Sequence, residues 1–230
     1  HDKRPCCSKS IFRRLKMIIS DYMSKNPVCI SLDRSVTEAK AIMTREKINK
    51  LPVLDKDSNL VGIITKNDLA KAAPSAATTL DIYEMGYLLS KLKVEKVMTK
   101  NPVTVSPDEV IEEAARIMAD KDIGCLPVVQ DGILVGIITE SDIFKQFISM
   151  FGARHHGVRV TMEFPDRTGA LADFARKIAD KGGNIIAVVT DDGSNMTSKK
   201  VTVKIANLDT KVVESIISEI GVEKLDIREL

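Results

Sequence analysis

Tryptophan is absent from the 230 residues, and aromatic side chains make up only 4% of them. A core must therefore be assembled from Ile, Val, Leu, Ala and Met, and the hydrophobic share of 44% is large enough for one. Long apolar runs are missing too. The longest core-like stretches, such as 133–138, are strand-sized and interrupted by Gly136, far short of the roughly 20 residues that span a bilayer. The first residues show no apolar segment of the kind a secretory signal needs. The four cysteines, Cys6, Cys7, Cys29 and Cys125, form no CxxC pair and have no histidine at zinc-ligand spacing, so no metal is expected. Cys29 and Cys125 lie within apolar strand patterns, which suits a reducing compartment and a cytoplasmic protein. Histidine is equally scarce: His1 is terminal, and His155 and His156 are adjacent in a Gly-flanked stretch. With no catalytic triad, no HExxH and no P-loop, catalysis is not expected.

Charge of one sign is lacking overall, at +2, but it is unevenly placed. Residues 1–16 hold six basic groups and one acid, a balance of +5, leaving 28 basic and 31 acidic residues, or −3, for the remainder. The bulk of the chain is thus no polyanion binder, and no helix-turn-helix or zinc finger points to nucleic acid. Two readings of residues 1–16 stand: a basic arm for nucleic acid or membrane with Cys6 and Cys7 as acylation sites, or a leader added ahead of a start at Met17. The second is favoured.

What the chain does have is internal repetition. Met23-Ser24-Lys25-Asn26-Pro27-Val28 and Met98-Thr99-Lys100-Asn101-Pro102-Val103 agree at five of six positions at a shift of 75. The same shift aligns Asp33 with Asp108, Ile42-Met43 with Ile117-Met118 and Leu51-Pro52-Val53 with Leu126-Pro127-Val128. After a one-residue difference in loop length, Leu60-Val61-Gly62-Ile63-Ile64-Thr65 matches Leu134-Val135-Gly136-Ile137-Ile138-Thr139, and Asp68 matches Asp142. Each copy reads as strand, helix, strand, strand, helix. Val36, Ala39, Ile42 and Met43, like Ile111, Ala114, Ala115 and Met118, make one buried helical stripe. Ser35 and Asp108 stand near the helix starts, and 55–59 forms a turn cluster. One copy of about 50 residues would be marginal alone, so the two are expected to bury each other's faces. Leu80, Tyr83, Tyr87 and Leu88 suggest an amphipathic helix between them.

The strand-to-helix corners carry the chemistry. Backbone N–H groups at a helix start attract phosphate, the Thr65 or Thr139 hydroxyl adds a donor, and the Asp68 or Asp142 carboxylate suits a pair of ribose hydroxyls. The competing reading is that these residues only cap their helices. Lys66 and Asn67 bring a cation to the first corner and Glu140 and Ser141 an anion to the second, so the first is expected to tolerate more phosphate.

The repeated Asn-Pro-Val, Leu-Pro-Val and Gly-Ile-Ile-Thr-x-x-Asp motifs resemble the CBS domain, and the pair resembles a Bateman module. That resemblance implies an adenine nucleotide or adenosyl ligand, with AMP, ADP, ATP and S-adenosylmethionine as candidates and no required cofactor. It implies adenine walls at Ile30, Lys50 and Pro52 in one site and Val105, Cys125 and Pro127 in the other. Thr65, Lys66, Asn67 and Asp68, and Thr139, Ser141 and Asp142, would hold the ribose and phosphate.

The remaining residues follow a second pattern. Val158, Val160, Met162 and Phe164 alternate as in a half-buried strand, and a helical stripe at Leu171, Phe174, Ala175 and Ile178 closes at Gly182-Gly183. Two strands, a helix capped by Asp209 and a final strand at Leu225 and Ile227 complete a ferredoxin-like βαββαβ order. Asp166-Arg167-Thr168-Gly169-Ala170-Leu171 with Gly183-Asn184-Ile185 resembles an ACT domain, departing from it at Thr168, where a proline is common. Such domains pair side by side and bind an amino acid, which would place one at Asp166, Gly169, Ala170, Leu171, Asn184 and Ile185. A bland reading leaves Gly169 as turn geometry and Asn184 as a connector.

The whole is therefore expected to combine α/β and α+β parts: CBS repeats at 17–72 and 96–150, a helical linker at 73–95, a short linker at 151–156 and an ACT domain at 157–230. This order is similar to the acetoin-utilisation protein AcuB group. The function expected is non-catalytic sensing by a homodimer, with a ligand-free interaction module as the alternative.

Overall fold

The computed structural model describes residues 17–72 and 82–230, and within 82–86 the backbone alone. The leader 1–16 and Leu80 thus lie outside the described residues, as does the side chain of Tyr83. Two compact units divide between Ile143 and Phe144.

In the first unit, α1 (Ile19–Tyr22) and β1 (Ser24–Lys25) lead into β2 (Ile30–Ser31), α2 (Val36–Arg45), β3 (Lys50–Leu54), β4 (Leu60–Thr65) and α3 (Lys66–Ala72). After α4 (Ile82–Lys91) and a 3₁₀ turn at Val94–Lys96, the second copy follows with β5 (Thr99–Lys100), α5 (Ile111–Lys121), β6 (Cys125–Gln130), β7 (Ile133–Thr139) and α6 (Glu140–Met150). The helix α6 runs across the division between the units.

The leading strands are exchanged. β1, from the first copy, pairs antiparallel with β7 of the second, Ser24 opposite Ile137. β5, from the second copy, pairs with β4 of the first, Ile63 opposite Thr99. The sheets are therefore β2-β3-β4-β5 and β1-β7-β6, each completed by the other repeat. The segments ahead of these strands are exchanged as well. Ile19 N–H donates to the Glu109 carbonyl, and Val94 N–H donates to the Arg34 carbonyl. Ile19 is buried with Ile111, Met118 and Leu126, and Val94 with Met43, Leu51 and Ile64. Two glycines make the exchange sterically feasible. A Cβ on Gly62 would strike the sulfur of Met98, and one on Gly136 the sulfur of Met23.

Local chemistry explains the helix starts, with one departure. Ser35 caps α2 in a reciprocal box: its Oγ accepts from Glu38 N–H, and the Glu38 carboxylate accepts from Ser35 N–H. In the second copy Asp108 does not cap α5. Val110 holds that place, without a side-chain cap, because it is the repeat equivalent of Ser35. In the linker, Leu89 of α4 and Leu92 just past its end pack on the first core, while Tyr87 and Leu88 of α4 stay exposed.

The second unit contains β8 (Val158–Pro165), α7 (Ala170–Asp180), β9 (Asn184–Asp192), β10 (Ser198–Ala206), α8 (Thr210–Ile220) and β11 (Glu223–Glu229). Its antiparallel sheet has the order β11-β8-β10-β9, the split βαβ arrangement. Val160 and Met162 of β8 and Val203 and Ile205 of β10 bury against Phe174 and Ile178 of α7 and Ile216 of α8. Gly169, with φ of 88°, turns the chain into α7, Asp209 accepts from Val212 N–H to cap α8, and Gly221, with φ of 67°, ends it.

Candidate functional site

Each repeat ends its hairpin in a buried strand that turns directly into a helix, and this sets a Thr and an Asp one helical turn apart. Asp68 Oδ2 accepts from Thr65 N–H at 2.8 Å and from Thr65 Oγ1 at 2.7 Å, while Thr65 Oγ1 accepts from Asp68 N–H at 3.2 Å. Asp142 Oδ2 repeats this with Thr139 N–H at 3.1 Å and Thr139 Oγ1 at 2.8 Å. The corners are therefore helix caps in both copies. Capping does not exhaust the first of them, because Asp68 also lines a cavity of about 710 Å³ in this unit. That is the size of a pocket for a nucleotide-sized molecule.

Both repeats supply the lining. The first gives Asn49, Lys50, Ile63, Thr65, Lys66, Asn67 and Asp68. The second gives Thr99, Asn101, Pro102 and Val103 from its exchanged leading segment, Asp122, Ile123, Gly124 and Cys125 from the α5–β6 turn, and Glu140. Lys50 Nζ donates across the repeat boundary to the Gly124 carbonyl. A Cβ on Gly124 would meet the Glu140 carboxylate and the Lys50 ammonium, so both side-chain tips would have to move aside. Cys125, Ile63 and Ile137 form a small buried cluster between the two sheets. Burial pushes the Cys125 thiol up from its ordinary pKa, and Glu140 and Asp68 act in the same direction, against Lys50. Burial also raises the Cys29 thiol. Neither cysteine has the depressed pKa of a reactive thiolate.

Of the residues expected to hold a nucleotide, the cavity brings together Lys50, Thr65, Lys66, Asn67, Asp68 and Cys125. It does not take in the others. Ile30 is buried in the first core and Val105 in the second. Pro52 and Pro127 are buried strand residues in register with Ile63 and Ile137. Thr139, Ser141 and Asp142 belong to the other corner. Glu140, read as an anion of the second corner, lines the cavity of the first. The Asn-Pro-Val motif was visible as a repeat marker, but the strand exchange that brings Asn101, Pro102 and Val103 opposite Asp68 was not.

A cavity of about 530 Å³ in the second unit runs from the end of β8 along α7 to the turn before β11. It is lined by Arg167, Ala170, Asp173, Arg176, Lys177 and Asp180, among others. Of the six residues expected to hold an amino acid, Ala170 alone lines it. Ile185 packs against the core, Asn184 and Asp166 are exposed, Leu171 is 37% exposed, and the Cβ direction of Gly169 opens onto empty space. Among the described residues, no group of His, Cys, Asp and Glu is placed to hold a metal, and no helix is long and apolar enough to cross a membrane.

Family models match both parts of the chain. The CBS domain model matches residues 19–75 and 94–149, and a TTHA0829-like ACT domain model matches residues 156–228. A CBS domain-containing protein of Dictyostelium discoideum is 34% identical over 137 residues, covering 59% of this chain and 94% of that protein. The crystal structure of a putative acetoin utilization protein (AcuB) from Vibrio cholerae is similar at 29% identity and a TM-score of 0.49, covering 60% of this chain and 94% of that one. The CBS domain pair of protein MJ0100, solved with 5′-methylthioadenosine and S-adenosyl-L-methionine, is similar at 33% identity and a TM-score of 0.48, over 60% of this chain and 98% of that one. Some longer relatives carry enzyme names, and this chain spans only 23% of their length.

Proposed function

Because the chain belongs to the CBS-domain family and carries an ACT domain after its tandem pair, we propose that it is a non-catalytic regulatory protein that binds an adenine nucleotide or adenosyl ligand between its repeats. One observation carries this reading. The cavity of about 710 Å³ is lined by a Thr–Asp corner of one repeat and the Asn-Pro-Val segment of the other. A ligand seated there touches both repeats at once, so its binding energy bears on their relative placement. This is the physical requirement for a sensor. The second domain is assigned to homodimer formation and to amino-acid sensing, and the protein to the cytoplasm. The Thr65 hydroxyl and Asp68 carboxylate in the cavity are spent on the helix cap, and burial raises the pKa of the Cys125 thiol, opposite to the shift that activates a nucleophile.

The test is a thermal-unfolding titration of the full chain with AMP, ADP, ATP and S-adenosylmethionine. A ligand at a hundredfold excess over its dissociation constant adds about 2.7 kcal/mol to the stability of the domain that binds it. Asp68→Asn keeps an acceptor for the Thr65 cap but loses the charge, and is expected to weaken binding of the ligand seated in that cavity about ten-fold or more. If none of the four ligands raises the melting temperature, the reading fails and the ligand-free interaction module takes its place.

A further inference from the structure

The two corners are related by the internal repeat, but the repeat positions that follow α2 and α5 carry opposite charge, Lys47 in one copy and Asp122 in the other. Around the Asp68 corner the cavity gathers the cations Lys50 and Lys66 and the anions Asp68, Asp122 and Glu140. Two positive and three negative groups sum to −1.

The exchanged pairings are reciprocal, as are the Met23–Gly136 and Met98–Gly62 contacts and the two Thr–Asp caps. The first unit therefore has an approximate two-fold axis that carries each lining position onto its repeat equivalent. Lys66 and Glu140 exchange places under it, and Lys50 exchanges with Cys125, so these groups are common to both corners. Asp68 maps onto Asp142, and Asp122 maps onto Lys47. Asp122 and Lys47 also share a left-handed backbone, with φ of 52° and 54° at the ends of α5 and α2, which confirms their equivalence. Carried through that axis, the lining of the Asp68 cavity projects onto the Asp142 corner as Lys47, Lys50 and Lys66 against Glu140 and Asp142, a sum of +1.

We infer that the two corners divide ligands by charge: the Asp68 corner takes an adenosyl group with an uncharged or cationic 5′ substituent, such as a thioether or sulfonium, and the Asp142 corner takes a 5′-phosphorylated adenosine. This rests on the reading of the cavity as an adenosine site and reverses the order that sequence neighbours alone suggest. Lys66 and Glu140 do not discriminate, because each serves both corners. Discrimination comes from Asp122 and Lys47, which arrive from the opposite repeat.

The experiment is calorimetric titration of the full chain with S-adenosylmethionine, which carries a sulfonium, and with AMP, in the wild type, in Asp122→Lys and in Lys47→Asp. Each substitution places a residue that the other repeat already accommodates in that backbone conformation, and a thermal melt of each apo variant checks folding. A charge reversal within several ångströms of the 5′ group changes affinity about ten-fold or more at low salt. Asp122→Lys is expected to weaken S-adenosylmethionine binding by that factor and leave the AMP site unchanged. Lys47→Asp is expected to weaken AMP binding and leave S-adenosylmethionine unchanged. Equal effects of either variant on both ligands, or none, overturn the division by charge while leaving adenosine binding intact. Failure of both ligands to bind the wild type overturns the underlying reading together with it.

Discussion

Glu163 shows how much one side chain can hold in place. It stands on β8, and its Oε1 accepts from Ser194 N–H at 2.7 Å and from the hydroxyls of Ser194 and Ser198, fastening the β9–β10 loop to the neighbouring strand. The Ser194 and Ser198 hydroxyls, then the Ser194 amide, hold its pKa down to about 2. A carboxylate whose folded pKa is lowered contributes stability that is fully present above its unfolded value and is lost as pH falls through the folded one. The window runs from about pH 4.5 down to about pH 2. The melting temperature of the wild type is expected to fall more steeply across that window than that of Glu163→Gln, which cannot titrate. Parallel curves would show that the loop is not held by the ionised group. Nothing in the sequence announced this contact, because Glu163 reads only as a polar position in an alternating strand and its partners are more than thirty residues away.

At the scale of elements, the two copies offer a controlled comparison of helix starts. Residues 35–38 read Ser-Val-Thr-Glu and close a capping box, whereas the equivalent 110–113 read Val-Ile-Glu-Glu and close none. The glutamate needed for a second box is already in place at Glu113, where it pairs with Arg116 at 2.6 Å. Ser35→Ala is expected to cost about 1 kcal/mol and Val110→Ser to gain about 0.5–1 kcal/mol, read from urea unfolding. The bridge between Val110 and Ile18 is a backbone contact that Val110→Ser keeps, so the gain reads the cap alone. The helices and long strands were legible in the sequence because their burial follows a period, as in α5 with Ile111, Ala114 and Met118 inward. The paired glycines that close α7 and the aspartate that caps α8 were legible for the same local reason. β1 and β5 carry no such signal. Each is two residues long and exposed on both, so no hydrophobic pattern records which sheet it joins.

At the scale of the whole molecule, that missing signal explains which parts of the site could be anticipated. The Thr–Asp corners, Lys50 and Cys125 were accessible because they lie within one repeat's motif. The Asn-Pro-Val segment reaches the Asp68 corner through the exchange of leading strands, and Asp122 reaches it from the α5–β6 turn of the other repeat. The same exchange bears on cooperativity. Neither sheet of the first unit is complete without the other repeat, and each repeat's core contains a residue from the segment leading into the other, Ile19 in one and Val94 in the other. Two repeats built this way should unfold together. Gly62→Ala is a direct probe, because the added methyl meets the Met98 sulfur of the other repeat and lies tight against the Thr99 carbonyl, so the other repeat must shift to take it. Overpacking of this kind costs about 1–3 kcal/mol. In native-state hydrogen exchange, the slowest amides of β3 and β4 in the first repeat and of β6 and β7 in the second are expected to lose protection by the same factor. Loss confined to β3 and β4 would mean that the repeats open independently, and a ligand touching both could then no longer act by shifting a single shared equilibrium.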